Sequence, residues 1–318
     1  MNPSFTEIEA HRLAGCRMLD ELFRRRLPSG GWSHIGSQFG TEPTAMALLA
    51  LHLASIKTRE QATPLLARQG SNGLWPGIGG EPTPNFWATA IALNAMLVLG
   101  ADPATLNHTI QALIRSRPAE VSWLVRLKFR FADRHVQFDP KKYGWPWVPE
   151  SVSWVAPTAM ALIALNRAKK LGLVRGSELE HRLRLGVDML TDRACMQGGW
   201  NAGNAVVYGS PLRPHIETTA LAVVALRLHH DLPIVHASMT WLLSRVECPS
   251  AYSLAWIILA ASAYKDVRPD VGPAHELARN RLVSLVKDPR DIDDTSTIAL
   301  AALALSSESN VNPFGVAA

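Results

Sequence analysis

The feature that most restricts how this chain folds is a phrase that recurs six times: a Thr or Ser followed by a run rich in Ala and Leu with helical spacing. Four copies are clear, at 42–48, 87–93, 156–162 and 217–223, and two weaker ones follow at 251–256 and 293–299. Each copy is apolar nearly all the way round, as a helix is when it is buried on both sides. The segments 7–26, 177–193, 232–245 and 274–287 instead carry one apolar stripe and one charged face, the pattern of helices with one wet side. Small residues let the inner helices pack closely, and Thr or Ser, often after Pro, suits a helix start. The pattern predicts an all-α chain: an (α/α)6 barrel of six outer–inner helix pairs, closed around an axis as a single domain over residues 1–318.

The connections into the inner helices are rich in Gly, Pro and Trp: Gly30-Gly31-Trp32, Gly73-Leu74-Trp75-Pro76-Gly77, Gly144-Trp145-Pro146-Trp147 and Gly198-Gly199-Trp200. Each precedes an inner helix, so all are expected at one end of the barrel. Residues 121–131 alternate with period two, but Trp123, Leu127 and Phe131 also form a helical stripe, and a lone strand would have no partner. An extra helix is predicted there.

A formal charge of +5 and a pI near 9.3 make the surface mildly basic, favourable to anionic lipid surfaces or diphosphates. No basic tail and no aromatic–basic reader motif argues for nucleic acid. The first residues, Met1 to Glu7, lack the basic and apolar regions of a signal peptide, and no apolar run is long enough to span a bilayer, so a cytoplasmic protein is expected. Cys16, Cys195 and Cys248 are odd in number and far apart, which predicts buried or half-buried free thiols rather than a disulfide framework.

These residues resemble the toroid superfamily of terpenoid cyclases and protein prenyltransferases, whose repeat has the form Q-x3-G-x-W. Gln69, Gly73 and Trp75 fit it in full, whereas the loops at Trp32 and Trp200 keep the G-x-W end but have Arg26 and Ala194 where Gln is expected. Within that superfamily, Asp291-Ile292-Asp293-Asp294-Thr295 matches the D-x-D-D-T motif of the squalene–hopene and class II diterpene cyclases. The resemblance implies that Asp293 is the general acid that protonates an alkene or epoxide, with Asp291 and Asp294 tuning or reprotonating it. A carboxyl that must stay protonated at neutral pH gains from neighbouring carboxylates and an apolar wall. The other reading is a helix cap: Asp293 aligns with Glu42 and Glu217, two residues before the repeat Thr, where an acid complements the positive end of a helix. The chain departs from the cyclase pattern in having one barrel, where the known class II enzymes use a second. It also has no Q-x3-G-x-W after the D-x-D-D, and Ser296 where Ala is often found.

Of ten Trp residues, Trp87 and Trp154 begin inner helices and are the candidates to line a cavity, where aromatic faces stabilise carbocations. Trp32, Trp75, Trp145 and Trp200 belong to the turn signature and are expected to be structural. At the helix mouths Glu42 and Glu217 are further substrate-binding candidates, and His215 near Glu217 reads either as a hydrogen-bond partner of substrate or acid, or as a structural His. The prenyltransferase zinc pattern, Asp-x-Cys with a distant His, is not met, since Asp192 to Cys195 has the wrong spacing; no metal is expected. The thioester run of complement-like toroids is absent. The stretch with Arg126, Lys128, Arg130 and Arg134 among Trp123, Phe129 and Phe131 reads as a solvated helix with an apolar underside, the alternative being a membrane-surface element.

The expected function is protonation-initiated cyclisation of an isoprenoid, without a resident cofactor, with Mg²⁺ assisting if the substrate carries a diphosphate. The alternatives are a lipid- or small-molecule-binding toroid without catalysis, and an interaction subunit similar in form to a prenyltransferase β chain. Self-association or a partner subunit would serve either if one barrel does not enclose the ligand.

Overall fold

A computed structural model of the chain describes residues 4–56, 58, 60–131, 138–306 and 312–315, without the side chains of 128–131. Its helices are α1 (Phe5–Arg24), α2 (Thr41–Leu53), α3 (Thr63–Leu66), α4 (Phe86–Val98), α5 (Pro103–Arg115), α6 (Trp123–Phe131), α7 (Val155–Lys170), α8 (Ser177–Asp192), α9 (Ile216–Ala225), α10 (Pro233–Leu243), α11 (Ala251–Ser262), α12 (Val271–Leu285) and α13 (Thr295–Ser306). A hairpin too short to see in the sequence, β1 (Val206–Val207) with β2 (Ser210–Pro211), precedes α9.

The six repeat phrases are α2, α4, α7, α9, α11 and α13. Each packs on the next, and α13 packs back on α2, so the inner ring closes. Burial explains their composition: in α4 every residue from Phe86 to Leu97 is buried, which leaves no face for charge. The outer layer is α1, α3, α5, α8, α10 and α12. In packing, α5, α8, α10 and α12 each lie more extensively against the inner helix before them than against the one after, and α1 lies chiefly against α13. The structural hairpin is therefore inner followed by outer, and α1 completes the last of them.

One device repeats at the end where the inner helices begin. The backbone N–H groups of Trp32, Trp75, Trp145 and Trp200 each donate to the hydroxyl of the fourth residue of the next inner helix, Thr44, Thr89, Thr158 and Thr219, all at 2.9 Å. Their indole N–H groups donate to the carbonyls of Leu22, Leu65, Leu113 and Leu190 at 2.6–2.9 Å, each in the preceding outer-layer helix, α1, α3, α5 and α8. Each of these Trp side chains is fully buried, so the rings pin loop, outer helix and inner helix together. Gly31, Gly144 and Gly199 precede three of them because a Cβ would run into the Phe39 ring at the first, the Thr158 side chain at the second, and Pro214 and the Thr219 hydroxyl at the third. These four Trp residues are structural, as the repeat implies.

The long connection before α7 carries α6, which stands outside the ring against the turn at 119–121. Its foot is fixed by Glu120, wholly buried, which accepts from the Ser153 N–H at 3.0 Å. Residues 121–131 do hold a helix, but its apolar face is not an underside: Trp123, Leu124 and Leu127 are 70%, 59% and 46% exposed. The side chains of Lys128, Phe129, Arg130 and Phe131, and the whole of Arg134, lie outside the described residues. The thiols also differ in part from expectation: Cys195 is buried and Cys248 half-buried, but Cys16 is exposed, because it falls on the wet face of α1. Among the described residues, no helix is long and apolar enough to cross a membrane.

Candidate functional site

The inner helices share a register at the Trp-loop end, and their second residues are Glu42, Trp87, Ala156, Glu217, Tyr252 and Ser296. This corrects the alignment of the last repeat. Thr295 looks like the repeat Thr but is the first residue of α13, and the position equivalent to Thr44 is Ile298, because no Trp loop precedes α13 to demand a hydroxyl. Ser296, not Asp293, is the counterpart of Glu42 and Glu217. Asp294 precedes the helix and accepts from the Thr297 N–H at 2.9 Å and its hydroxyl at 2.8 Å, so it is the cap.

Around that mouth four groups converge from three repeats. The Trp87 indole donates to Glu42 Oε2 at 2.8 Å. His34, from the loop before α2, lies with Nε2 3.9 Å from Glu42 Oε2 and Nδ1 3.3 Å from Asp294 Oδ1. The Ser296 hydroxyl is also 3.3 Å from His34 Nδ1, and the Thr295 N–H donates to the His34 carbonyl at 3.1 Å, tying that loop to α13. The Trp147 ring lies 5.9 Å from that of Trp87, and Tyr252 sits edge-on to Trp256, 6.5 Å between centroids.

The two carboxyls are driven apart electrostatically. Burial pushes Glu42 above the usual carboxyl range, and the opposing pull of His34 and the Trp87 N–H does not cancel it. Burial also pushes on Asp294, but hydrogen bonds from His34 and Thr297 outweigh it and hold that group below its ordinary value. His34 is raised, chiefly by its bond to Asp294. The mouth therefore holds one carboxyl whose proton affinity is raised, one whose affinity is lowered, and a half-exposed imidazole between them.

The remaining sequence candidates lie elsewhere. Asp291 and Asp293 are exposed, and among the described residues the Asp293 carboxyl makes no hydrogen bond; its carbonyl accepts from Arg25 at 2.8 Å. Glu217 accepts from the Ser253 hydroxyl, not from His215, which is exposed at the start of α9. Trp154 precedes α7 and packs over Gly203, whose missing Cβ makes room for its ring, so it faces the adjoining loop rather than the Glu42 group. His34, Trp147, Tyr252 and Ser296 were not among the sequence candidates. Trp147 alone carried a signal, as the second Trp of its loop. Among the described residues no group of three or more His, Cys, Asp or Glu could hold a metal.

No protein-family model and no curated protein matches the sequence. Solved structures do match over nearly the whole chain. A type II terpene cyclase from Scytonema, in complex with its substrate geranylgeranyl dihydroxybenzoate, is 16% identical with a TM-score of 0.61, over 95% of this chain and 98% of that one. An α-amylase from Clostridium perfringens is 10% identical with a TM-score of 0.63, over 93% and 98%. A glycosidase in complex with glucose is 10% identical with a TM-score of 0.56, over 96% and 98%. At such identities the likeness is one of fold: the chain is an α/α toroid, an architecture it shares with terpene cyclases and glycosidases.

Proposed function

We propose that the chain is a class II-like isoprenoid cyclase whose proton donor is Glu42. The observation that carries this is a half-buried carboxyl, held above its usual range and bonded by Trp87, near a second carboxyl that His34 and Thr297 hold below its own. Separated proton affinities of this kind assign an acid and a base. Glu42 would give its proton to a terminal alkene carbon, whose π pair forms the new C–H bond and leaves a tertiary cation. The next alkene closes the ring with its own π pair, and the faces of Trp87, Trp147 and Tyr252 favour the travelling cation. The final cation loses a proton to Asp294, and His34, within reach of both carboxyls, returns one to Glu42, so the net change is isomerisation.

A pair of carboxyls also serves glycoside hydrolysis. Here the aromatic rings of Trp87, Trp147 and the half-buried Tyr252 stand close to the pair, which favours an apolar substrate. The single barrel fits this reading too, since the Scytonema cyclase is itself matched over 98% of its chain by one barrel of this size. A diphosphate substrate would call for Mg²⁺, for which the described residues form no ligand set, so no step runs through a metal. The exposed Trp123, Leu124 and Leu127 offer a contact for the membrane in which long isoprenoids dissolve.

The test is product analysis by mass spectrometry with squalene, farnesyl and geranylgeranyl diphosphates and a prenylated dihydroxybenzoate. Glu42→Gln should lower turnover by about 10²–10⁴-fold, the usual worth of a general acid, with Asp293→Asn near wild type. The reverse result would return the acid to Asp293, as the D-x-D-D resemblance has it. No cyclic product from any substrate would leave the toroid as a binding protein or a partner subunit.

A further inference from the structure

Three successive residues at the head of α13 hold a single histidine. Asp294 Oδ1 and Ser296 Oγ both lie 3.3 Å from His34 Nδ1, and the Thr295 N–H donates to the His34 carbonyl at 3.1 Å. Of the three, Ser296 is the one that the D-x-D-D-T resemblance does not imply, since Ala is often found in its place. Ser296 is 2% exposed, whereas the His34 side chain it meets is 41% exposed, so the ring is gripped from inside and open on its outer edge. The loop that carries the ring is shaped to bring it there. The Ser33 hydroxyl donates to the Gly36 carbonyl at 2.6 Å and folds the loop back on itself. Gly40, just before α2, leaves room for the ring, because a Cβ there would stand 3.3 Å from His34 Cδ2.

A neutral imidazole carries one hydrogen, and the partner of one nitrogen decides which nitrogen that is. Asp294 lies below its ordinary value of 3.8, so at neutral pH it is a carboxylate and can only accept. Its Oδ2 is taken by the N–H and hydroxyl of Thr297, which leaves Oδ1 as the atom turned to His34. Nδ1 is therefore the donor, and the Ser296 oxygen, at the same distance, accepts from the same hydrogen. The lone pair then falls on Nε2, 3.9 Å from Glu42 Oε2. That gap is too long for a direct hydrogen bond, but one oxygen about 2.8 Å from each atom spans it, as a bridging water does. The charged groups that act on the ring are Glu42 from α2 and Asp294 at the head of α13.

We propose that Ser296 is a positioning residue: together with Asp294 it keeps the hydrogen of His34 on Nδ1, so that Nε2 is the nitrogen through which a proton passes from solvent to Glu42. Nε2 takes a proton from solvent, gives it to the Glu42 carboxylate left by each turnover and is bare again, while Asp294 returns to solvent the proton it took from the final cation. This path rests on the reading of Glu42 as proton donor; the position of the hydrogen does not. Long-range proton–nitrogen correlation spectra of the full chain with ¹⁵N-labelled histidine read that position directly, with His34→Gln identifying the resonance and circular dichroism checking the fold. Above its titration midpoint, wild-type His34 should carry its hydrogen on Nδ1. Ser296→Ala should raise the share with hydrogen on Nε2 about fivefold, the worth of one net hydrogen bond, and Ser296→Thr should restore it. Hydrogen on Nε2 in wild type would overturn the proposal, and so would a ratio that Ser296→Ala leaves unchanged, since Asp294 alone would then set the ring. If Ser296→Ala does not fold, Ser296→Cys, with a weaker hydrogen-bonding atom in the same place, decides in the same sense. With a substrate that is turned over, Ser296→Ala should lower kcat by a similar factor at unchanged KM, recovered by Ser296→Thr; a shifted hydrogen with unchanged kcat would sink the proton path. A wild type without turnover would end the cyclase reading, and the spectra would still decide what Ser296 does to His34.

Discussion

Glu42 and Glu217 occupy the same helical position, yet only Glu42 is drawn into the His34 group, because Glu217 is taken by Ser253. That difference has a pH signature. Glu42 lies above its ordinary value of 4.5 in the folded chain, so its protonation stabilises the fold at pH below that value, and the stability is lost as pH rises through the raised one. Asp294 lies below its ordinary 3.8, so its contribution is present above that value and fades as pH falls through the lowered one. Urea midpoints should therefore decline less steeply as pH rises above 4.5 for Glu42→Gln than for wild type; parallel curves would show that the surroundings of Glu42 do not raise its proton affinity. Turnover should fall over the same rising range, where the donor is emptied. Glu42, Trp87 and Asp294 were legible in the sequence as candidates at helix mouths, but not their grouping around His34. His34 lies in a loop with no periodicity and meets Asp294 only because ring closure brings residues 260 positions apart together. The D-x-D-D marks a turn that does reach the His34 group, through Asp294, the cap of α13, while Asp293 lies exposed outside the helix start.

Among the elements, the inner helices were readable because burial on both sides confines charge to their ends, a pattern with few other causes. The Trp loops were readable because each repeats the same Trp–Thr bond, which fixes composition as well as shape. By contrast α3 is four residues long and the β1–β2 hairpin pairs two residues with two, too short for any period to show. The face of α6 was misread because amphipathicity tells which side is apolar and not what covers it. That exposed face predicts a measurable association. Replacing Trp123 and Leu127 by Ser should leave circular dichroism unchanged and weaken co-sedimentation with anionic vesicles at least tenfold, about 1.4 kcal/mol, given the ~1.5 kcal/mol or more that burying each large apolar side chain contributes. Binding by wild type that matches the double variant would leave α6 without a role at membranes.

At the scale of the whole molecule, the ring is closed by its two most distant helices. α13 packs on α2 from inside, and α1 covers α13 from outside with Met18 and Leu22, both fully buried. Arg25 reaches on from the end of α1 to the carbonyls of Asp293 at 2.8 Å and Pro289 at 3.5 Å, so the same helix that seals the barrel also holds the turn carrying Asp294. A toroid cannot leave one outer position empty without exposing an inner helix that has no polar face. A chain starting at residue 27 should therefore lose cooperative unfolding and bind a hydrophobic dye, while a peptide of residues 4–26 added in trans should restore the transition. Leu22→Ala in the intact chain should cost about 2–5 kcal/mol, the range for emptying a buried Leu. A shortened chain that unfolds at the urea midpoint of the full one would show that five outer helices suffice. The seam between α13 and α2 would then be held without an outer cover, and the position of Asp294 would owe nothing to α1.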